Sequence, residues 1–208
     1  MTNSPSLLDR VPVIPVVVVD DLGDAVPIAR ALVAGGVPMI ELTLRTSCAL
    51  GAIEAIASDV PEICVGAGTV VEPGQAALAA RAGAQFLVSP GSTESLLKAM
   101  TDTGLPHLPG AATVSEVLFL LERGYRELKF FPAEASGGAK FLGAIHSPVP
   151  AARFCPTGGI SKSNVGDYLA LPNVGCVGGS WLTPTEAVKA KDWDRIAGLT
   201  REAAGLAR

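Results

Sequence analysis

The feature of this sequence that most restricts its fold is a regular alternation of strand-like and helix-like segments. The strand-like runs, the first of which is rich in β-branched residues, cover 11–19, 39–45, 63–69, 85–89, 106–110, 127–131, 153–157 and 174–178. The helix-like segments cover 24–34, 48–58, 74–81, 94–101, 115–123, 139–146 and 163–169, and a final helix covers about 193–206. Alternation of this kind predicts a parallel sheet with helical crossovers.

Eight such units predict an α/β fold of the (β/α)8 TIM barrel type. We expect one domain over residues 1–208, with a short N-terminal lead and a C-terminal helix. The chain is short for this fold, but its 49% of hydrophobic residues can fill a large core. An open doubly wound sheet is the alternative. Against it, Gly66-Ala67-Gly68 lacks the third glycine of the dinucleotide-binding fingerprint.

Charge and hydropathy exclude several classes of partner. The net charge is −4 and there is no basic run, so we expect no nucleic acid partner. The apolar run 11–19 is far shorter than the roughly 20 residues of a membrane span, so we expect no membrane partner. Residues 1–10 lack the pattern of a signal peptide. These features predict a cytoplasmic protein.

The cysteines and histidines give no sign of a metal site. Cys48, Cys64, Cys155 and Cys176 form no CxxC pair, and we interpret them as buried small hydrophobic residues in a reducing compartment. There are two histidines and no HExxH motif. We therefore predict neither a metal nor a cofactor.

One lysine lies in the middle of an apolar strand-like run, at Lys129 in Glu127-Leu-Lys-Phe-Phe-Pro132. Lysine is rarely buried without a partner or a chemical role. Burial disfavours the charged form, and a neutral amine in a dry pocket is a nucleophile towards carbonyl carbon. We expect the apolar rings of Phe130 and Phe131 and the like charge of Arg45 to favour that neutral form. The alternative is a lysine whose stem packs while its ammonium reaches water.

Polar residues also occur on the second strand-like run. Glu41, Thr43 and Arg45 share parity, so we expect all three to point to one face, with the intervening leucines on the other. Charged residues that face the interior of a barrel need a reason. One reason is proton transfer, and the alternative is a Glu41–Arg45 ion pair that holds the barrel mouth together.

The ends of other strands carry further candidates. Thr69 ends the third strand and Thr157 the seventh, each either a site residue or a helix N-cap. Ser89-Pro90-Gly91 ends the fourth strand and is, by itself, typical of a tight turn.

Glycine pairs follow the last two strands, at Gly158-Gly159 and at Gly178-Gly179-Ser180. Glycines let backbone amides approach an anion closely. Barrel enzymes often bind phosphate in the loops after strands seven and eight. Two pairs in these places favour a phosphate site over ordinary turns.

Taken together, these motifs resemble those of the 2-keto-3-deoxy-6-phosphogluconate (KDPG) aldolases, also called KDPG/KHG aldolases, of the class I Schiff-base type. The segments that carry the resemblance are Glu41-Leu-Thr-Leu-Arg-Thr46, Val65-Gly-Ala-Gly-Thr-Val70, Ser89-Pro-Gly91, Lys129-Phe-Phe-Pro-Ala-Glu134, Phe154-Cys-Pro-Thr-Gly-Gly-Ile160 and Gly178-Gly-Ser-Trp181. The resemblance extends from about Val11 to the C-terminus.

The resemblance implies a barrel, usually a homotrimer, that splits the phosphorylated keto acid into pyruvate and glyceraldehyde 3-phosphate in the Entner–Doudoroff route. It implies that Lys129 forms the Schiff base and that Glu41 transfers protons. The substrate-binding residues that it implies are Arg45 and Thr69 for pyruvate, Pro90, Phe131 and Thr157 for site shape, and Gly158, Gly159, Gly178, Gly179 and Ser180 for phosphate.

Three other functions remain open at this stage. An aldolase of the same class acting on 4-hydroxy-2-oxoglutarate (KHG) or on the galactonate-derived epimer differs only in substrate. A phosphosugar isomerase or epimerase would use Glu41 as a base without an imine. A protein that binds a phosphate ligand without catalysis would need neither Glu41 as a base nor an imine. Fold alone does not choose among them, and the set of Lys129, Glu41 and Arg45 favours the aldolase.

Overall fold

A computed structural model describes residues 6–206, so residues 1–5 of the predicted lead and residues 207–208 lie outside the described part. The strands are β1 (Val13–Val17), β2 (Met39–Thr43), β3 (Cys64–Gly68), β4 (Phe86–Val88), β5 (His107–Leu108), β6 (Gly110–Ala111), β7 (Glu127–Phe130), β8 (Arg153–Pro156) and β9 (Val177–Gly179). The helices are α1 (Ala25–Ala34), α2 (Ala49–Asp59), α3 (Pro73–Arg81), α4 (Glu94–Asp102), α5 (Val114–Glu122), α6 (Gly138–His146), α7 (Val165–Leu169), α8 (Thr185–Lys189) and α9 (Trp193–Ala204).

The predicted βα order is confirmed, with two differences. The predicted fifth strand is divided by Pro109 into β5, which pairs with β4, and β6, which pairs with β7. Proline has no amide hydrogen to give to a sheet, which explains the break. The short helix α8 follows Pro184 and lies between β9 and the predicted final helix, where we expected none.

All described strand pairs are parallel, and they form a curled sheet in two parts. One part has the order β5-β4-β3-β2-β1-β9 and the other has β6-β7-β8. Isolated parallel bridges join the two parts at Phe154 with Val174 and at Thr157 with Gly178. The carboxyl ends of all strands therefore lie at one end of the molecule.

Helix starts follow the local sequence. The hydroxyl of Thr113 accepts from the amide of Glu116 at 3.3 Å, and the Glu116 carboxylate accepts from the Thr113 amide at 2.9 Å. This capping box begins α5. Thr93 caps α4 in the same way with its hydroxyl.

The core has two layers. The larger one lies between sheet and helices and takes alternate strand residues such as Ile40, Leu42 and Leu128. The smaller one lies on the other, concave face towards the amino ends of the strands; its members, which we call the apolar plug, are Leu7, Leu8, Val11, Ile14, Val37, Met39, Phe86, Val88, Leu108, Cys155 and Cys176.

None of the four cysteines, all of which lie in the described part of the chain, forms a disulfide. Cys155 and Cys176 are buried as predicted, but Cys48 and Cys64 are only half-buried. Cys64 accepts from the Arg10 guanidinium at 3.1 Å, because it begins β3 at the edge of the molecule. Among residues 6–206, none of the helices has the length and hydropathy that a transmembrane segment needs.

Candidate active site

The centre of the candidate site is a buried ion pair between β7 and β2. Lys129 Nζ lies 3.0 Å from Glu41 Oε1, and the two residues are 5% and 2% exposed. The neighbours of Lys129 along β7, Leu128 and Phe130, belong to the layer under the helices, so Lys129 points to the concave face. Its amine does not reach bulk water, which excludes the alternative of a lysine with a solvated ammonium.

The Glu41 carboxylate occupies space that a glycine leaves free. In the β2–β3 pairing Thr43 stands opposite Gly68. A Cβ atom on Gly68 would lie 2.2 Å from Glu41 Oε1, closer than real Cβ atoms come to a neighbour. Any side chain at position 68 would therefore push the carboxylate away from the Lys129 amine.

Of the two phenylalanines after Lys129, Phe131 is the one beside the amine. Its ring centroid lies 5.5 Å from Lys129 Nζ. Phe130 faces the helices and stacks on Phe141 at 5.1 Å between centroids, so the expectation that Phe130 helps to desolvate the amine is wrong.

Arg45 and Thr69 meet beyond the ends of β2 and β3. Arg45 is exposed, and its Nε donates to Thr69 Oγ1 at 3.3 Å. Glu41 pairs with Lys129 instead of Arg45, so the alternative of a Glu41–Arg45 ion pair is wrong. Arg45 lies past the end of β2, where strand parity no longer fixes its direction.

Thr69 has a left-handed backbone, with φ of 59°. This conformation is uncommon for threonine and costs on the order of 1–3 kcal/mol, and residues of this kind concentrate at functional sites. The N-cap of α3 is Glu72, so the N-cap alternative for Thr69 is wrong.

The two glycine pairs lie side by side because Thr157 and Gly178 form a parallel bridge. Thr157 is 6% exposed, and a Cβ on Gly178 would lie 2.2 Å from its Oγ1. A Cβ on Gly179 would lie 2.0 Å from the Trp181 ring. The N-cap of α7 is Asn164, so Thr157 is not a helix cap either.

The turn after β8 presents its amides in one direction. Gly158 and Gly159 have φ of 100° and 81°. Their flanking carbonyls are held from one side: the Ala133 amide donates to Thr157 O at 2.8 Å and the Glu134 amide to Gly158 O at 3.1 Å. In a trans peptide the next N–H points opposite to the carbonyl, so the amides of Gly158 and Gly159 point away from residues 133–134. Such successive amides favour an anion.

Pro90 and Ser180 lie at the margins of this arrangement. Pro90 contacts the start of β6, where a Cβ on Gly110 would lie 2.3 Å from the Pro90 carbonyl. Ser180 is exposed and lines a cleft of about 670 Å³ with Val16, Val18 and Trp181. Lys129 and Glu41 do not line that cleft.

Three residues with contacts at this end of the sheet were not assigned to the site from the sequence, although Thr43 was predicted to share the face of Glu41. Thr43, fully buried, donates to the Val17 carbonyl at 3.1 Å next to Glu41. The Glu134 carboxylate accepts a hydrogen bond from the Tyr168 hydroxyl. Thr43 and Glu134 lie inside the motifs that carried the resemblance, but no local pattern pointed to Tyr168. Among the described residues, no group of three or more His, Cys, Asp or Glu side chains could hold a metal ion.

Comparison with known proteins gives consistent matches over nearly the whole chain. The family model described as KDPG and KHG aldolase matches residues 5–199. The KHG/KDPG aldolase of Escherichia coli K12 is 57% identical over 202 residues, which are 97% of this chain and 95% of that protein.

Solved structures agree with this result. KDPG aldolase from Legionella pneumophila, with pyruvate captured at low pH as a covalent carbinolamine intermediate, has a TM-score of 0.93 and 47% identity, covering 95% of this chain and 96% of that one. The aldolase of Zymomonas mobilis ZM4 with 3-phosphoglycerate has a TM-score of 0.91 and 44% identity, covering 97% and 94%.

Proposed function

This chain belongs to the KDPG and KHG aldolase family, and from that membership we propose that it is a class I aldolase, a lyase that cleaves 2-keto-3-deoxy-6-phosphogluconate into pyruvate and glyceraldehyde 3-phosphate. The observation that carries the proposal is the buried contact of 3.0 Å between Lys129 Nζ and Glu41 Oε1. It supplies a nucleophile and a proton carrier within one hydrogen bond.

The ion pair prepares the nucleophile. Transfer of one proton from the Lys129 ammonium to the Glu41 carboxylate gives a neutral amine and a neutral acid without any other group. The amine then attacks the C2 carbonyl carbon of the substrate, and Glu41 returns the proton to the carbonyl oxygen. Loss of that oxygen as water from the carbinolamine leaves a protonated imine on Lys129.

The imine accepts the electrons of the bond that breaks. Glu41, again a carboxylate, takes the proton of the C4 hydroxyl. The C4 oxygen forms the aldehyde carbonyl, the C3–C4 bond breaks, and its electron pair moves through C3 and C2 to the imine nitrogen as an enamine. After the aldehyde leaves, Glu41 gives its proton to C3. Water then hydrolyses the imine to pyruvate and restores the amine.

The other residues are assigned to the two ends of the substrate. Arg45, held by Thr69, suits the pyruvate carboxylate, because a guanidinium binds both oxygens at once. Gly158, Gly159, Gly178, Gly179 and Ser180 are proposed for the phosphate. Phe131 and Pro90 shape the space between, and Thr157 lies next to both glycine pairs.

Reductive trapping tests the proposal. Pyruvate with borohydride should add a pyruvate-derived mass to the Lys129 peptide, because reduction fixes the imine. Lys140, exposed in α6, and Lys162, exposed beyond the Gly158-Gly159 turn, are internal controls. No adduct, or an adduct only on those two lysines, contradicts the proposal. Resistance to borohydride combined with turnover of a phosphosugar would instead indicate the isomerase or epimerase function.

A second substrate is favoured by the name of one relative. The Escherichia coli protein is called a KHG/KDPG aldolase. We therefore propose that this chain also cleaves 4-hydroxy-2-oxoglutarate, whose second carboxylate replaces the phosphate end. Comparing kcat/KM for the two substrates measures the preference, and the galactonate-derived epimer tests the configuration accepted at C4.

The complete architecture is also part of the proposal. We propose that residues 1–208 form one domain and that its sheet closes as a (β/α)8 barrel. The β1–β9 pairing and the bridges at Phe154 and Thr157 support closure.

We propose a homotrimer, as the family resemblance implies. Exposed Val18, Leu22 and Val71 offer apolar contact area for it. We also propose a cytoplasmic location, which the four cysteines without disulfides among the described residues support.

A further inference from the structure

We infer that Glu134 and Tyr168 form a positioning pair that holds the Gly158-Gly159 turn in its phosphate-binding shape. This inference rests on the proposed function and adds a specificity role for two residues that do not touch the reacting bond. The pair acts on the phosphate end of the substrate and leaves the Lys129–Glu41 chemistry alone.

Glu134 supports the turn with both its backbone and its side chain. Its amide donates to the Gly158 carbonyl at 3.1 Å. Its Cγ lies where it would be 2.6 Å from a Cβ on Gly159, so the side-chain stem packs directly against the Gly159 backbone. A displacement of Glu134 would therefore move both glycines and the direction of their amides.

Tyr168 fixes the position of the Glu134 side chain. Its hydroxyl donates to Glu134 Oε1, while its ring is 1% exposed in the core under the helices. Burial and then the bond to Glu134 raise the pKa of Tyr168, so the hydroxyl keeps its proton and remains a donor at neutral pH. A carboxylate that is held by this hydroxyl is also kept from turning towards a bound phosphate, which it would repel.

A second residue, Asn164, holds the opposite side of the turn. Asn164, just before α7, donates through Nδ2 to the Gly159 carbonyl at 3.1 Å and accepts from the Ser161 amide at 2.8 Å. Tyr168 lies in the same helix. The Glu134–Tyr168 bond thus ties the loop after β7 to α7, and the glycine turn lies between these two anchors.

The test compares Tyr168→Phe with Tyr125→Phe. The first removes one hydroxyl and keeps the buried ring. The second, the matched control, removes the hydroxyl of the other tyrosine, which bonds Thr101 and His107 at the amino end of the sheet. For each we would measure kcat and KM with KDPG and with unphosphorylated KHG, and the dissociation constant of inorganic phosphate by calorimetry.

We expect Tyr168→Phe to raise KM for KDPG and the dissociation constant of phosphate about tenfold, the loss typical of a hydrogen bond to a charged group. The kcat for KDPG, and both kcat and KM for KHG, should stay within about twofold of the values of the unaltered protein. Tyr125→Phe should change KM for neither substrate. Glu134→Gln keeps an acceptor for Tyr168 and should have a smaller effect. The variant with both Glu134→Gln and Tyr168→Phe should bind phosphate no more weakly than Tyr168→Phe alone, because the two residues act through one hydrogen bond.

Two results would overturn the inference: unchanged phosphate binding in folded Tyr168→Phe, or equal losses with KDPG and KHG, which indicate a general structural role. If Tyr168→Phe does not fold, Glu134→Ala, which removes the acceptor of the same hydrogen bond, decides by the same measurements. Failure of the proposed function is a separate observation, because it appears as absent cleavage and absent borohydride trapping in the unaltered protein, whereas phosphate calorimetry does not depend on turnover.

Discussion

The two ends of the concave face of the sheet differ in chemistry although the same strands build both. Near the amino ends the apolar plug fills the interior, with Phe86 and Met39 almost completely buried. Further along the same strands Glu41 and Lys129 form a buried ion pair. Replacing one partner of a buried ion pair lowers the free energy of unfolding by more than the intact pair adds to it. Each residue of the apolar plug, in contrast, adds to this free energy directly. Stability and reactivity are thus assigned to opposite ends of one interior.

Glu41→Gln should give the largest effect at the reactive end. The amide keeps the shape of the side chain but cannot exchange protons, so kcat should fall roughly 10²–10⁴-fold while affinity changes little. Steady-state kinetics with KDPG measures both. Unchanged turnover would remove Glu41 from the mechanism and leave the two ends of the interior without a functional difference.

Phe86→Ala should give the opposite result at the plug end. Phe86 is fully buried, and Gly66 provides room for its ring, which a Cβ at position 66 would meet at 2.3 Å. Its truncation should lower the free energy of unfolding by about 3–5 kcal/mol. Urea denaturation measures this loss. Turnover per folded molecule should stay close to normal; a large fall in kcat would show that the two ends are coupled.

Gly68→Ala tests whether the reactive end needs its glycine. The new methyl group would meet Glu41 Oε1 and move the carboxylate away from Lys129. A displacement of about 1 Å can lower a catalytic rate by up to roughly 10²-fold, so we expect kcat to fall by at most about that factor. Gly74→Ala in the first turn of α3 is the control, because its Cβ meets nothing within 4 Å. Equal activities of the two variants would contradict the steric role of Gly68.

His107, at the amino end, should give the smallest effect. Burial lowers the pKa of His107 below its ordinary value of 6.5, and the contact with the Leu105 carbonyl only partly offsets this. Below about pH 6.5 the unfolded chain binds a proton on this ring that the folded protein binds less readily, so stability falls as the pH drops. His107→Gln should reduce that fall in urea denaturation between pH 7 and pH 5. An identical pH slope in both proteins would exclude the effect, and kcat should not change.

Much of this arrangement could be predicted from local sequence. Strand parity correctly assigned Lys129 to the face opposite Leu128 and Phe130. The break at Pro109 was missed because the regular βα alternation led us to place one strand over 106–110, although Pro106 and Pro109 both disfavour a continuous strand. Parity does not apply to Arg45, because β2 ends at Thr43 and the backbone turns before the arginine, so its predicted direction stays a prediction.

The sequence by itself determined the order of strands and helices, the supply of apolar residues, the family and the strand face of Lys129, because these depend on neighbours within a few residues. The tertiary structure decided which groups meet. Glu41 and Lys129 are 88 residues apart, and Tyr168 in α7 reaches Glu134 in the loop after β7. Such contacts depend on how the sheet curls and on the room that Gly68 leaves for Glu41 and Gly159 leaves for Glu134, and no local periodicity encodes either.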